Sequence, residues 1–91
     1  MEEEGKDWYL YILRCADNTL YTGITVDVKK RLEAHEAGRG AKYTRGRGPL
    51  TVVYTERCGS HSEALKRERT VKAMKREQKE RMILNCERAR R

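Results

Sequence analysis

Trp8-Tyr-Leu-Tyr-Ile-Leu-Arg14, Ala16-Asp-Asn-Thr19 and Leu20-Tyr-Thr-Gly-Ile-Thr25 succeed one another with a single residue between the first two, and the fold turns on how they join. The outer runs are rich in aromatic, aliphatic and β-branched residues and are of strand length, so each predicts a strand. The middle run is turn chemistry: Asp and Asn tolerate left-handed backbone angles and bond their own main chain, which makes an antiparallel hairpin the simplest connection. Side chains alternate across a strand, so Tyr9, Tyr11 and Leu13 share one face of the first strand, and Tyr21 and Gly23 one face of the second. A two-residue turn at Asp17-Asn18 sets Tyr11 and Tyr21 on opposite faces, whereas a three-residue loop or a bulge brings them together. Gly23 weakens a strand interior and marks a bulge or the close approach of another group.

Beyond the hairpin the period changes to helical. Asp27 is an N-cap candidate, Val28, Leu32 and His35 fall at i, i+4 and i+7, and Gly38 is the stop. Arg39 to Pro49 holds three Gly, the only Pro and four cations without an acid, which predicts a mobile basic loop. Leu50-Thr-Val-Val-Tyr-Thr55 has the β propensity of a third strand. Ser60-x-x-Glu63 is a capping box that opens a second helix through Val71. Residues 72–91, with scattered Met74, Met82, Ile83 and Leu84, predict more helix whose last turns fray. The expected fold class is α/β of the α+β kind, a three-stranded antiparallel sheet flanked by helices. The chain divides into an acidic flexible start (1–7), one domain (8–80) and a basic, frayed C-terminal helix or tail (81–91), with no repeat or linker.

Ninety-one residues suffice for one domain. With 38% charged residues and no Phe, its core must be thin and carried by Leu, Ile, Val, Tyr and Trp8. Net charge is +7, and residues 1–7 take four of the 14 acids and one of the 21 bases, leaving 20 bases and 10 acids in residues 8–91. Such an imbalance points to a polyanionic partner, of which nucleic acid is the commonest, because each neutralised phosphate releases condensed counterions. Cys15, Cys58 and Cys86 are an odd set without a C-x-x-C pair, which argues against a disulfide framework and a zinc site and suggests the cytoplasm. No apolar run approaches a membrane span, and an acidic MEEE start is the reverse of a signal peptide.

Polar side chains interrupt both apolar stripes. Arg31, at i+3 from Val28, and His35 share the buried edge of the first helix; on this helix alone a snorkelling arginine and a satisfied core-edge histidine, without a function, are the favoured account. In the second helix Ala64, Glu68 and Val71 put a carboxylate mid-stripe. A buried charge without a partner is unfavourable by several kcal/mol, so Glu68 faces a cation, either Arg31 or a metal.

Tyr9-Leu10-Tyr11, Tyr21-Thr22-Gly23, Arg31 and Glu68, in that order and spacing, resemble the GIY-YIG nuclease family, in the small stand-alone bacterial branch that also shows Ala41-Lys-Tyr-Thr-Arg45 and Arg47-Gly-Pro49. Tyr9 replaces the first Gly of the motif and Thr22 its second Ile, leaving both hydroxyls and the second Gly in place. The resemblance covers roughly Trp8 to Lys79. It implies an endonuclease hydrolysing phosphodiester bonds in DNA, with Glu68 holding one divalent cation, Mg2+ or Mn2+, Arg31 stabilising charge on the phosphate, and Tyr11 or Tyr21 activating water. A guanidinium suits that role because its planar fork donates paired bonds to phosphate and stays charged. A tyrosine ionises near 10, so the site has to lower that value, through Arg31 and the metal. His35 is expected to relay a proton or touch phosphate, and Lys42, Arg45 and Arg47 to position the nucleic-acid backbone. The alternatives are a non-catalytic nucleic-acid-binding module and a protein-interaction module docking through Met74, Met82, Ile83 and Leu84.

Overall fold

A computed structural model describes residues 7–89, so the acidic start lies outside the described residues except for Asp7. The chain runs β1 (Trp8–Arg14), β2 (Leu20–Thr25), α1 (Val28–Glu36), a 3-10 turn (Lys42–Thr44), β3 (Thr51–Gly59), α2 (His61–Lys72) and α3 (Arg76–Ala89). The three strands form one antiparallel sheet in the order β2-β1-β3, and the helices flank it, the α+β arrangement expected from sequence.

The hairpin settles the register. Cys15 N–H donates to Thr19 O at 2.9 Å and Asn18 N–H to Cys15 O at 2.8 Å, leaving Ala16-Asp17-Asn18 as a three-residue loop. Asn18 takes φ 69, a left-handed angle that Asn accepts because its short polar side chain can bond locally. Leu13 then pairs with Tyr21 and Tyr11 with Gly23, so the two tyrosines share a face.

β1 is the central strand and Leu10, Tyr11, Ile12 and Leu13 are all essentially buried, so each face of the sheet is covered. Leu10 and Ile12 meet Val71 of α2 and Ile83 of α3. Tyr11 and Leu13 point the other way, to Leu50 and to Val28 and Leu32 of α1. Trp8 is not in the core: it is half-buried, its ring centroid 4.3 Å from that of His61.

The local signals act as expected at the helix starts. Asp27 accepts from Lys30 N–H at 3.0 Å and Ser60 from Glu63 N–H at 3.1 Å, each filling an orphan donor of a first turn. α1 ends in a Schellman motif: Arg39 N–H reaches Ala34 O and Gly38 N–H reaches His35 O, with Gly38 at φ 81. β3 runs four residues past Thr55, because Glu56 is held in the sheet by Tyr54 Oη at 2.6 Å and by Arg67 Nε of α2 at 2.8 Å.

Residues 81–89, expected as a basic helix or tail, lie in α3, and Ile83 joins the core. The helix is anchored to the hairpin, since Arg14 donates two bonds to Glu80 at 2.9 and 2.7 Å and Arg76 donates to Asn18 O at 2.7 Å. The basic stretch 39–49 is likewise tied down rather than loose. Arg47 pairs with Asp17, donates to Tyr43 O at 2.7 Å and lies over the Tyr43 ring, and Ala16 N–H donates to Arg47 O.

Candidate functional site

The site is built on the α1 face of the sheet. Tyr11 stands on the central strand with its ring 1% exposed, and its hydroxyl is 2.8 Å from His35 Nε2. His35, 2% exposed, is the innermost residue of α1, so the polar position in the apolar stripe is filled by a buried histidine bonded at both nitrogens. Its Nδ1 accepts from Ala41 N–H at 3.2 Å and lies 3.0 Å from Thr44 Oγ1, which is within 2.9 Å of Ala41 O. Burying this polar pair costs little because, among the described residues, no buried side-chain nitrogen or oxygen lacks a partner.

Two glycines make room for the pair. A Cβ at Gly23 would sit 2.6 Å from Tyr11 Oη, which identifies the group whose close approach the sequence anticipates there. A Cβ at Gly40 would sit 2.2 Å from His35 Nδ1. Neither Gly40 nor Thr44 stands out in the sequence, where both are lost in a Gly- and cation-rich segment.

Tyr21 is partly exposed and completes an aromatic row. Its ring meets His35 edge-on at 5.2 Å, Tyr11 at 6.3 Å and Tyr43 in a stacked arrangement at 5.9 Å. Tyr43 is 42% exposed and carries the row to the surface.

Burial and charge oppose each other at Tyr11. Burial is the larger effect and pushes the hydroxyl up to about 12; the Arg31 guanidinium beside it pulls the other way, while Tyr21 and the Glu68 charge add to the rise. The sequence expectation that the site lowers this value is therefore corrected for the protein alone: desolvation outweighs Arg31. The same two influences, burial first and Arg31 second, depress the His35 pKa and keep its ring neutral.

Arg31 has no ion-pair partner among the described residues, so its charge is free for a ligand. Glu68 comes from α2 and pairs with Lys72 at 3.2 Å in its own helix rather than with Arg31. Its side chain is 20% exposed and that of Lys72 53%, so the lysine can swing away into water. No group of three or more His, Cys, Asp or Glu gathers for a metal among the described residues. A lone half-buried carboxylate with a displaceable partner fits a hard cation such as magnesium, which keeps several waters and takes phosphate oxygens.

Of the three cations expected to hold nucleic acid, Lys42 and Arg45 have no side-chain partner among the described residues and are exposed. Arg47 differs, because Asp17 and Tyr43 already occupy it.

The model of the GIY-YIG catalytic domain matches residues 7–81, from the start of β1 into α3. The chain belongs to the GIY-YIG family. Within that family it is similar to proteins named UPF0213, a designation that states no activity. One from Natronomonas pharaonis is 53% identical over 77 residues, 85% of this chain and 91% of the relative. YhbQ of Escherichia coli is 50% identical over 76 residues, 84% of this chain and 76% of the relative. The solution structure of a UPF0213 protein from Bacillus halodurans is 47% identical and superposes with a TM-score of 0.55, covering 85% and 82% of the two chains. That of a protein from E. faecalis gives a TM-score of 0.62 at 38% identity over 92% and 90%. GIY-YIG membership points to nuclease-type chemistry. Among the described residues no helix is long and apolar enough to cross a membrane.

Proposed function

We propose that this protein is a metal-dependent endonuclease that hydrolyses phosphodiester bonds in DNA, acting in the cytoplasm where its thiols stay reduced. The observation that carries the proposal is the Arg31 guanidinium, which has no ion-pair partner among the described residues, beside the buried Tyr11–His35 pair. Hydrolysis builds negative charge on phosphate oxygens, and a fixed guanidinium in a partly dry site neutralises it without reorganising. Tyr11 or Tyr21, which face the same space, orients the attacking water and, once its own proton has been lost to solvent, takes the proton of that water. His35 acts on Tyr11 and not on phosphate, because its Nε2 is already engaged. Glu68 would hold the cation, Mg2+ or Mn2+, which when bound neutralises phosphate oxygens and cancels the carboxylate charge that raises the Tyr11 pKa. Lys42 and Arg45 position the DNA backbone from the rim.

The test is a cleavage panel over duplex, branched, nicked and single-stranded DNA with Mg2+, Mn2+ or a chelator. Cleavage should require the cation, and Glu68→Ala and Arg31→Ala should each lower kcat by about 10²–10³-fold with the thermal transition intact. Undiminished cutting by Glu68→Ala would sink the site assignment. DNA binding with a steep salt dependence, indifferent to Glu68→Ala and without cleavage, would make the protein a binding module instead.

A further inference from the structure

The proton on the His35 ring can be placed from the backbone. A hydroxyl hydrogen rotates to suit its neighbours, so neither Tyr11 Oη nor Thr44 Oγ1 decides which ring nitrogen carries it. An amide hydrogen does not rotate: the peptide plane sets its direction, and a buried one needs an acceptor. Ala41 N–H donates to His35 Nδ1 at 3.2 Å, so Nδ1 holds the lone pair. In a neutral ring the hydrogen is then on Nε2, 2.8 Å from Tyr11 Oη. The single Thr44 hydrogen has two acceptors in reach, Ala41 O at 2.9 Å and Nδ1 at 3.0 Å, and neither arrangement puts a proton on Nδ1. The opposite tautomer would face Nδ1–H against Ala41 N–H and strand that amide.

Gly40 makes the approach possible, since any Cβ there would meet Nδ1 at 2.2 Å and Cγ at 2.7 Å and push the ring off the amide. Thr44 is 2% exposed, a hydroxyl buried against the ring at the end of the 3-10 turn. The segment after α1 thus folds back on the helix and grips one edge of its histidine, while the other edge faces the tyrosine.

We propose that the Gly40-Ala41 backbone and Thr44 form a positioning element that locks His35 as a hydrogen-bond donor to Tyr11, so that the tyrosine oxygen keeps a donor while its own proton is away. Gly40 and Thr44 touch no substrate; they act through His35. His35 neither gives nor takes a proton in this scheme: Tyr11 loses its own proton to solvent when the Glu68 charge that raises its pKa is neutralised, and the tyrosinate oxygen then takes the proton of the attacking water. The locked tautomer favours Tyr11 over Tyr21 as the group that takes the proton of water, because a lone pair on Nε2 would oppose a negative oxygen there. The catalytic consequence rests on the nuclease reading, whereas the tautomer does not.

Two-bond proton–nitrogen correlation spectra of the 15N-labelled full chain report the His35 tautomer directly, with His35→Gln separating its signals from those of His61. The Nε2–H form should dominate by about tenfold or more, the bias of one stranded amide. A dominant Nδ1–H form overturns the lock. Thr44→Val should lower kcat for DNA cleavage about tenfold with KM changed less than twofold, and Thr44→Ser should restore it. An Nε2–H spectrum with kcat unchanged in Thr44→Val refutes the positioning role. If Thr44→Val does not fold, the wild-type spectrum and the kcat of Thr44→Ser, expected within twofold of wild type, still decide. If the wild type cuts no DNA with any cation, the nuclease reading and the catalytic consequence fall together, and the spectrum alone judges the lock.

Discussion

Replacing Gly23 by Ala separates backbone propensity from the contact seen here. In a strand interior, Gly→Ala on propensity alone stabilises by about 0.5–1 kcal/mol. The new methyl, however, would lie 2.6 Å from Tyr11 Oη, 2.8 Å from Cζ and 3.1 Å from Cε1, and a real Cβ does not approach so closely. The ring cannot retreat, because Tyr11 is buried on the central strand and its hydroxyl is bonded to His35. Overpacking of this kind costs about 1–3 kcal/mol. Displacing the hydroxyl from His35 adds about 1 kcal/mol for a buried bond lost. The net is a loss of about 2 kcal/mol, or about 8–16 °C in Tm for a domain of this size. Urea titration followed by circular dichroism measures it, with an unchanged m-value showing that both chains unfold alike. Tyr11→Phe removes the shortest contact, so Gly23→Ala should cost less in that background, a coupling of about 1 kcal/mol or more. A Gly23→Ala protein as stable as the wild type, or more so, would refute the close-approach account of this glycine.

Three further outcomes follow from the charges and hydroxyls. Glu80, held down to about 2 first by its bonds from Arg14, contributes stability that is full above its ordinary 4.5 and fades as pH falls from there through about 2. Because a third of its side chain meets water, Glu80→Gln should cost about 1 kcal/mol at neutral pH and flatten the acid limb of a urea-midpoint profile. Tyr11 and Tyr54 are both raised from 10.0 to about 12, chiefly by burial, so the unfolded chain ionises first and stability should fall as pH rises from 10 towards 12. The alkaline slope should be shallower in Tyr54→Phe, and identical slopes would contradict the burial assignment. Lys42→Ala and Arg45→Ala should each lower the salt slope of DNA binding by about 1 without changing Tm, whereas Arg47→Ala should lower Tm, because that guanidinium braces Asp17 and Tyr43.

The parts of this fold legible in sequence are those decided locally. β1 and β2 are apolar and β-branched runs on either side of the turn chemistry of Ala16-Asp-Asn18, and the caps at Asp27 and Ser60 act within three residues of themselves. The hairpin register is not of that kind. A loop of two residues or three suits the same letters, and the left-handed Asn18 decides between them. The last four residues of β3 are hidden for a different reason: Glu56 and Arg57 read as surface, and only Arg67, eleven positions away on α2, shows why Glu56 belongs in the sheet. Arg31 and His35 are visible as polar intrusions into an apolar stripe, but the loop that grips His35 is not, since Gly40 and Thr44 acquire their meaning only once the chain folds back over α1. Glu68 shows the limit of the stripe argument, which demands a cation and cannot say which; Lys72, one turn on, supplies it.

The two faces of β1 meet opposite requirements, and this explains how so small a core carries a polar site. On the Leu10 and Ile12 side the sheet is sealed by aliphatic packing from α2 and α3. On the Tyr11 side stability depends on polar groups being fully satisfied, and the same burial that demands those bonds holds Tyr11 protonated and His35 neutral. The resting site is therefore stable because it is uncharged in its interior. Moving Tyr11 towards ionisation requires positive charge to be gathered around it, and Arg31 alone does not outweigh burial while Glu68 stays negative. Whatever neutralises Glu68 acts in the same direction as Arg31, so ligand binding at the carboxylate and proton release at the tyrosine are coupled by electrostatics alone, with no movement of the backbone needed to link them.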